Sequence, residues 1–119
     1  MFSNNYEYGI FIKGTSKHFV IQNCEIIGCK YGIVVSSDTA NIINNRCSNN
    51  EEYGILIDFT QNCRIEDNFC KENKIGLRLH YADNSKIIRN YFENNIYSGM
   101  DTWGGCSSLT INDNVFYKD

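Results

Sequence analysis

The sequence has no proline, no long apolar run and no block of one charge. No stretch approaches the ~18 consecutive apolar residues of a membrane-spanning helix, so no span is predicted. The opening residues Met1-Phe2-Ser3-Asn4-Asn5 carry neither a basic region nor an apolar stretch, so no signal peptide is visible. A net charge of -3, with scattered basic residues, argues against general binding of nucleic acid. At 119 residues the chain is one domain at most. With 42% hydrophobic and 21% charged residues it is not a disordered composition.

What is abundant is asparagine, at 17, and isoleucine, at 16. Isoleucine favours strands, whereas asparagine favours turns. A chain rich in both asks for many short strands joined by tight corners. The arrangement is periodic. Tyr8-Gly9-Ile10-Phe11-Ile12 recurs as Tyr31-Gly32-Ile33-Val34-Val35, Tyr53-Gly54-Ile55-Leu56-Ile57, Ile75-Gly76-Leu77-Arg78-Leu79 and Ser98-Gly99-Met100-Asp101-Thr102, with glycine spacings of 23, 22, 22 and 23. Such self-similarity marks a repeat architecture.

A second motif keeps the same register. Its first column is Ile21, Ile42, Ile65, Ile87 and Ile111, and three residues later come Cys24, Asn45, Asn68, Asn90 and Asn114. The next apolar column is Ile26, Cys47, Cys70, Phe92 and Phe116, followed by Cys29, Asn50, Asn73, Asn95 and Asp119. Phe2 and Asn5 extend the last two columns backwards. Each repeat therefore holds at least two short strands, one alternating with period two and one bent at its asparagine. A single coil has no core. Stacked at ~4.8 Å, the coils turn the isoleucine columns into a continuous core. Inward asparagines then find partners in the amides above and below and in corner backbone groups. Cys24 and Cys29 stand in for asparagine in the first coil, where the ladder is weaker.

These motifs resemble the right-handed parallel β-helix repeats of the pectin-lyase-like superfamily, and most closely its asparagine-rich, NosD-type carbohydrate-associated repeats. The resemblance covers essentially the whole chain. It implies an all-β solenoid of about five coils and an extracellular or cell-surface setting. It is poor for function, because one fold hosts lyases, hydrolases, epimerases and non-catalytic modules. A leucine-rich repeat, the main rival, is disfavoured by only four leucines and by the lack of a helical stretch. Calcium-binding Gly-Gly-x-Gly-x-Asp nonapeptides are absent. Neither end carries a polar cap, so residues 1–119 are expected to be a segment of a longer solenoid, and uncapped strands predict end-to-end self-association.

The six cysteines include no Cys-x-x-Cys, and Cys47, Cys70 and Cys63 fall in largely apolar columns, so the cysteines are expected as buried thiols. Cys47 and Cys70 are the disulfide pair to expect if the parent protein is secreted. His18 and His80 have no zinc-like spacing to a cysteine. A copper role is sometimes attached to NosD-type proteins, but Met1, Met100 and the two histidines form no cluster of soft ligands. No metal and no cofactor is expected.

Chemistry, if present, belongs on the outward positions of the Gly-Ile-x-Ile strand. One column reads Phe11, Val34, Leu56, Arg78, Asp101; the other reads Lys13, Ser36, Asp58, His80, Trp103. Arg78 suits a uronate carboxylate by paired hydrogen bonds. His80 suits a general acid or base, with Asp58 or Asp101 as its orienting or partner acid. Trp103 suits stacking on a sugar ring. Asp58 with Asp101 also falls near the ~10 Å limit of an inverting carboxylate pair. Set against this, charged side chains on an exposed strand commonly form cross-strand pairs of little consequence. No complete catalytic motif of the superfamily is present, and zero prolines exclude the Asp-Pro-His-Glu epimerase signature. The tyrosine column Tyr8, Tyr31, Tyr53 is expected to stack on itself. The resulting expectation is a non-catalytic repeat module, structural or polysaccharide-binding. The alternatives are a uronate lyase or epimerase fragment using Arg78, His80, Asp58 and Asp101, and a spacer with no ligand.

Overall fold

The structure is a computed structural model, and it describes residues 2–3, 6–14 and 18–118. β1 (Phe2–Ser3) leads into the first full coil, β2 (Tyr8–Lys13), β3 (Phe19–Gln22) and β4 (Glu25–Ile27). The second coil is β5 (Tyr31–Ser36), β6 (Ala40–Ile43) and β7 (Arg46–Ser48). The third is β8 (Tyr53–Gln61), β9 (Arg64–Glu66) and β10 (Phe69–Lys71). The fourth is β11 (Ile75–Asp83), β12 (Lys86–Ile88) and β13 (Tyr91–Glu93), and the fifth is β14 (Ser98–Trp103), β15 (Thr110–Asn112) and β16 (Val115–Tyr117). Equivalent strands stack in parallel into three sheets, ordered β14-β11-β8-β5-β2, β15-β12-β9-β6-β3 and β1-β4-β7-β10-β13-β16. The chain is a parallel β-helix of five coils. Each coil has three strands, within the expectation of at least two, because the asparagine bend divides the second motif between two sheets.

The register reproduces the columns of the sequence. Ile42 pairs with Ile65, Ile33 with Ile55, Cys47 with Cys70, and Phe2 with Ile26. Asn5 and Asp119, placed in the second asparagine column, lie outside the described residues, as do Met1 and Lys17. Ile26, Ile33, Ile42, Ile55, Ile57, Ile65, Leu77, Leu79 and Ile87 are fully buried and make one core. Burying side chains of this size contributes about 1.5–3 kcal/mol each.

Both asparagine columns form ladders. Asn45 Nδ2 donates to Asn68 Oδ1 at 3.1 Å and to Ile21 O at 3.0 Å, and Asn68 repeats the pattern with Asn90 and Ile42. At the second corner, Asn50 Nδ2 donates to Asn73 Oδ1 at 3.0 Å, and Asn73 Nδ2 to Asn95 Oδ1 at 3.2 Å. The residue before each inward asparagine is left-handed: Asn44, Asp67 and Arg89 at the first corner, Asn49, Glu72 and Asn94 at the second, all with φ between 52° and 56°. Asparagine and aspartate tolerate this conformation best, which explains much of the asparagine excess. In the first coil the ladder ends on backbone, with Cys24 N donating to Asn45 Oδ1 and Cys29 N to Asn50 Oδ1, both at 3.0 Å.

All six cysteines are free, Cys47 and Cys70 included, and Cys29, Cys47, Cys63 and Cys70 are buried. A hydrogen bond shared with Cys70, and then burial, hold the Cys47 thiol well above the ordinary range. A folded-state value above the unfolded one favours the fold while the thiol stays protonated. Stability is therefore expected to fall as pH climbs past about 8.5, where unfolded thiols ionise. In a native thiol titration at pH 8, Cys24 and Cys106 should react first and the four buried thiols only on unfolding. Six equally fast thiols would contradict this packing.

Candidate functional site

The β2/β5/β8/β11/β14 sheet displays the outward columns as its register requires. Arg78 lies between Leu56 and Asp101, and His80 between Asp58 and Trp103. Arg78 grips Asp101 with both arms of its guanidinium: Nε donates to Oδ1 at 3.0 Å and Nη2 to Oδ2 at 2.9 Å. Its Nη1 donates to the Tyr53 hydroxyl at 2.8 Å. The hydrogen bonds to Asp101 raise the Arg78 pKa further, so the guanidinium stays charged.

His80 Nδ1 lies 2.7 Å from Asp58 Oδ1. Its ring is surrounded by Trp103, Tyr81 and Phe59, with centroids at 4.6, 4.7 and 5.0 Å. Nε2 is buried by these rings and has no hydrogen-bond partner among the described residues. The two halves of the site meet at Trp103, whose ring centre is 6.0 Å from the Arg78 guanidinium. The structure thus brings together Asp58, His80 and Trp103 as one unit, and Arg78 and Asp101 as another. In the tyrosine column Tyr8 stacks on Tyr31 at 5.5 Å and 22°, while Tyr31 and Tyr53, also 5.5 Å apart, meet tilted at 44°.

Phe59 and Tyr81 also belong to the site, although the outward columns of the strand do not include them. They stack on each other at 4.9 Å and 15°. Phe59 is 63% exposed, Trp103 60% and Tyr81 45%. Both Phe59 and Tyr81 are left-handed, each with φ 52°. They follow Asp58 and His80 in the column where Gly14 follows Lys13 and Gly104 follows Trp103, and those glycines have φ 73° and 76°. In these four coils the corner is left-handed and suits glycine, and two of them supply a bulky ring at a cost of about 1–3 kcal/mol each; Ser37, the residue at this place in the second coil, is not left-handed. The Tyr81 ring also lies against the backbone of Gly104, where an added Cβ would come within 2.6 Å of it. The sequence signal for these rings is a column holding glycine at two coils and an aromatic at two others. Beside them, Asp38, Thr60, Gln61 and Asp83 complete a depression of about 320 Å³.

A family model described as periplasmic copper-binding protein (NosD) matches residues 1–119. No curated protein and no solved structure matches the chain. The match spans every coil, and it agrees with the stacked parallel strands and the in-register columns. The chain belongs to the NosD family of β-helix repeat proteins.

Proposed function

We propose that this chain is a non-catalytic β-helix repeat module of a larger surface or secreted protein, and that Trp103, Tyr81 and Phe59 form a carbohydrate-binding shelf. One observation carries the reading: two exposed aromatic rings are kept in a backbone conformation that favours glycine. Strain of that kind points to use. Aromatic side chains offer a sugar flat apolar area, and polar neighbours fix its orientation. Here Asp58 supplies a carboxylate acceptor at the edge of the shelf. His80, held by Asp58, sets the position of the Trp103 ring.

The uronate lyase or epimerase reading is less well supported. The Nε/Nη2 fork of Arg78 is already filled by both oxygens of Asp101, and Nη1 donates to Tyr53, so a uronate carboxylate would compete with partners in place. His80 Nε2, the atom that would take a proton, is covered by rings.

The matched family's description names copper. Copper(I) selects thiolate and thioether sulfur, and imidazole nitrogen also suits copper. Among the described residues, no three His, Cys, Asp or Glu side chains gather into a group able to hold a metal ion. Cys47 and Cys70 are sealed in the core, and His80 Nδ1 is taken by Asp58. This donor set does not fit copper.

Trp103 is the only tryptophan, so its fluorescence reports directly on the shelf. Titration with soluble neutral and uronate oligosaccharides should shift the emission without changing the ligand. Tyr81→Ala should weaken binding by about tenfold, the loss of one well-placed ring. An emission unchanged by every sugar sinks the proposal. An unsaturated or epimerised product would replace the module with an enzyme.

A further inference from the structure

We propose a second ligand site, away from the aromatic shelf: a groove along the first corner that accepts a neutral linear polysaccharide lying parallel to the solenoid axis. It shares the ligand class of the proposed shelf but none of its residues, and it stands on separate observations. The corner between the β3/β6/β9/β12 sheet and the β4/β7/β10/β13 sheet is built the same way in every coil. A left-handed residue points outward, the next points into the ladder, and the third opens the next strand, outward again. Two outward banks therefore flank a floor made by Cys24, Asn45 and Asn68, and the depression holds about 450 Å³.

The banks differ in chemistry along the axis. One is Asn23, Asn44, Asp67 and Arg89, with Asn44 Nδ2 donating to Asn23 Oδ1 at 2.6 Å and Arg89 Nε to Asp67 Oδ1 at 3.1 Å. The other is Glu25, Arg46, Phe69 and Tyr91, where the Arg46 guanidinium lies 4.7 Å from the Phe69 ring centre and Phe69 stacks on Tyr91 at 4.9 Å and 12°. One wall offers amide, carboxylate and guanidinium groups that can hold hydroxyls in pairs, and the facing wall turns apolar. Two carboxylates and two guanidiniums cancel, so the groove selects against a strongly charged ligand. Because successive coils repeat these positions at ~4.8 Å, an extended polymer can reach a polar or aromatic side chain at every coil, whereas a compact ligand uses only part of the groove. All four residues of the first bank are exposed and need no rearrangement to be reached.

The test uses amide NMR spectra of the 119-residue chain with cellohexaose, mannohexaose, xylohexaose and hexagalacturonate. At least one neutral hexasaccharide should shift the Arg46, Phe69 and Tyr91 amides, and hexagalacturonate should shift them less. The double variant Asn44→Gly/Asp67→Gly removes two polar groups while glycine keeps the left-handed backbone. It should weaken this binding about tenfold or more, leaving the Trp103 indole response intact. Should the variant fail to fold, intermolecular NOEs from sugar protons to the Phe69 and Tyr91 rings of the unaltered chain decide the matter. The groove is overturned if no neutral hexasaccharide at millimolar concentration moves these amides, or if hexagalacturonate moves them most. Shifts confined to Trp103 and Tyr81 would overturn the groove alone. Shifts confined to the corner would overturn the shelf alone.

Discussion

Asn68→Ala should lower the unfolding free energy by about 3–5 kcal/mol, the sum of several buried polar groups losing partners at about 1–3 kcal/mol each. Asn68 Oδ1 accepts from Asn45 N at 2.9 Å and Asn45 Nδ2 at 3.1 Å, and Asn68 Nδ2 donates to Ile42 O at 2.9 Å. Asn68 Nδ2 also donates to Asn90 Oδ1 at 2.9 Å, so alanine removes four bonds, and the groups left behind are shielded from water because Asn45 and Asn68 are almost wholly buried. The neighbouring coils cannot close the gap, because strand pairing holds them at fixed separation. Asn62→Gly is the matched control. Asn62 is exposed with φ 61°, so glycine there should change stability by no more than about 0.5 kcal/mol. Urea unfolding of both variants settles the point. A loss at Asn68 no larger than at Asn62 would mean that the ladder is a consequence of the fold and not a support for it.

Gly54→Ala should be nearly as damaging, about 3 kcal/mol, although it adds one methyl group and the backbone there is not left-handed. The cause is close approach. A Cβ on Gly54 would sit 2.7 Å from Gly76 O and 2.9 Å from Asn73 Nδ2. The first is the backbone of the next coil, and the second is a rung of the ladder, so neither yields without breaking pairing. Gly105→Ala provides the comparison, since its nearest neighbour would be the Tyr81 ring at 3.9 Å. That variant should leave the urea midpoint close to that of the parent chain. If Gly54→Ala also leaves it there, the glycine column owes its recurrence to something other than space.

Both effects are partly legible in the amino-acid sequence. The glycine column marks the coil period, and the inward asparagines imply a ladder, because a buried amide needs partners. What the columns do not reveal is why glycine is needed at Gly54. That depends on where the Gly76 carbonyl sits relative to it, a matter of coil-to-coil geometry. The three-strand coil is hidden for a similar reason. A corner as short as Asn44-Asn45 leaves little trace in a hydrophobic pattern, because the apolar positions on either side continue the same count.

The sequence by itself determined the parallel β-helix and the adjacency of Arg78 to Asp101 and of His80 to Asp58 and Trp103. It could do so because parallel, in-register stacking turns a sequence period into nearness in space: residues one repeat apart must be neighbours. Only the tertiary structure decided what those neighbours do. Register places the Cβ atoms but not the side-chain ends. Arg78 could have faced solvent, yet it closes on Asp101 and reaches back diagonally to Tyr53. The left-handed rings of Phe59 and Tyr81, and the corner groove between Asp67 and Phe69, arise from backbone torsion at single residues. A column pattern records which residue types recur, whereas the torsion that aims each one is set by the coils packed above and below it.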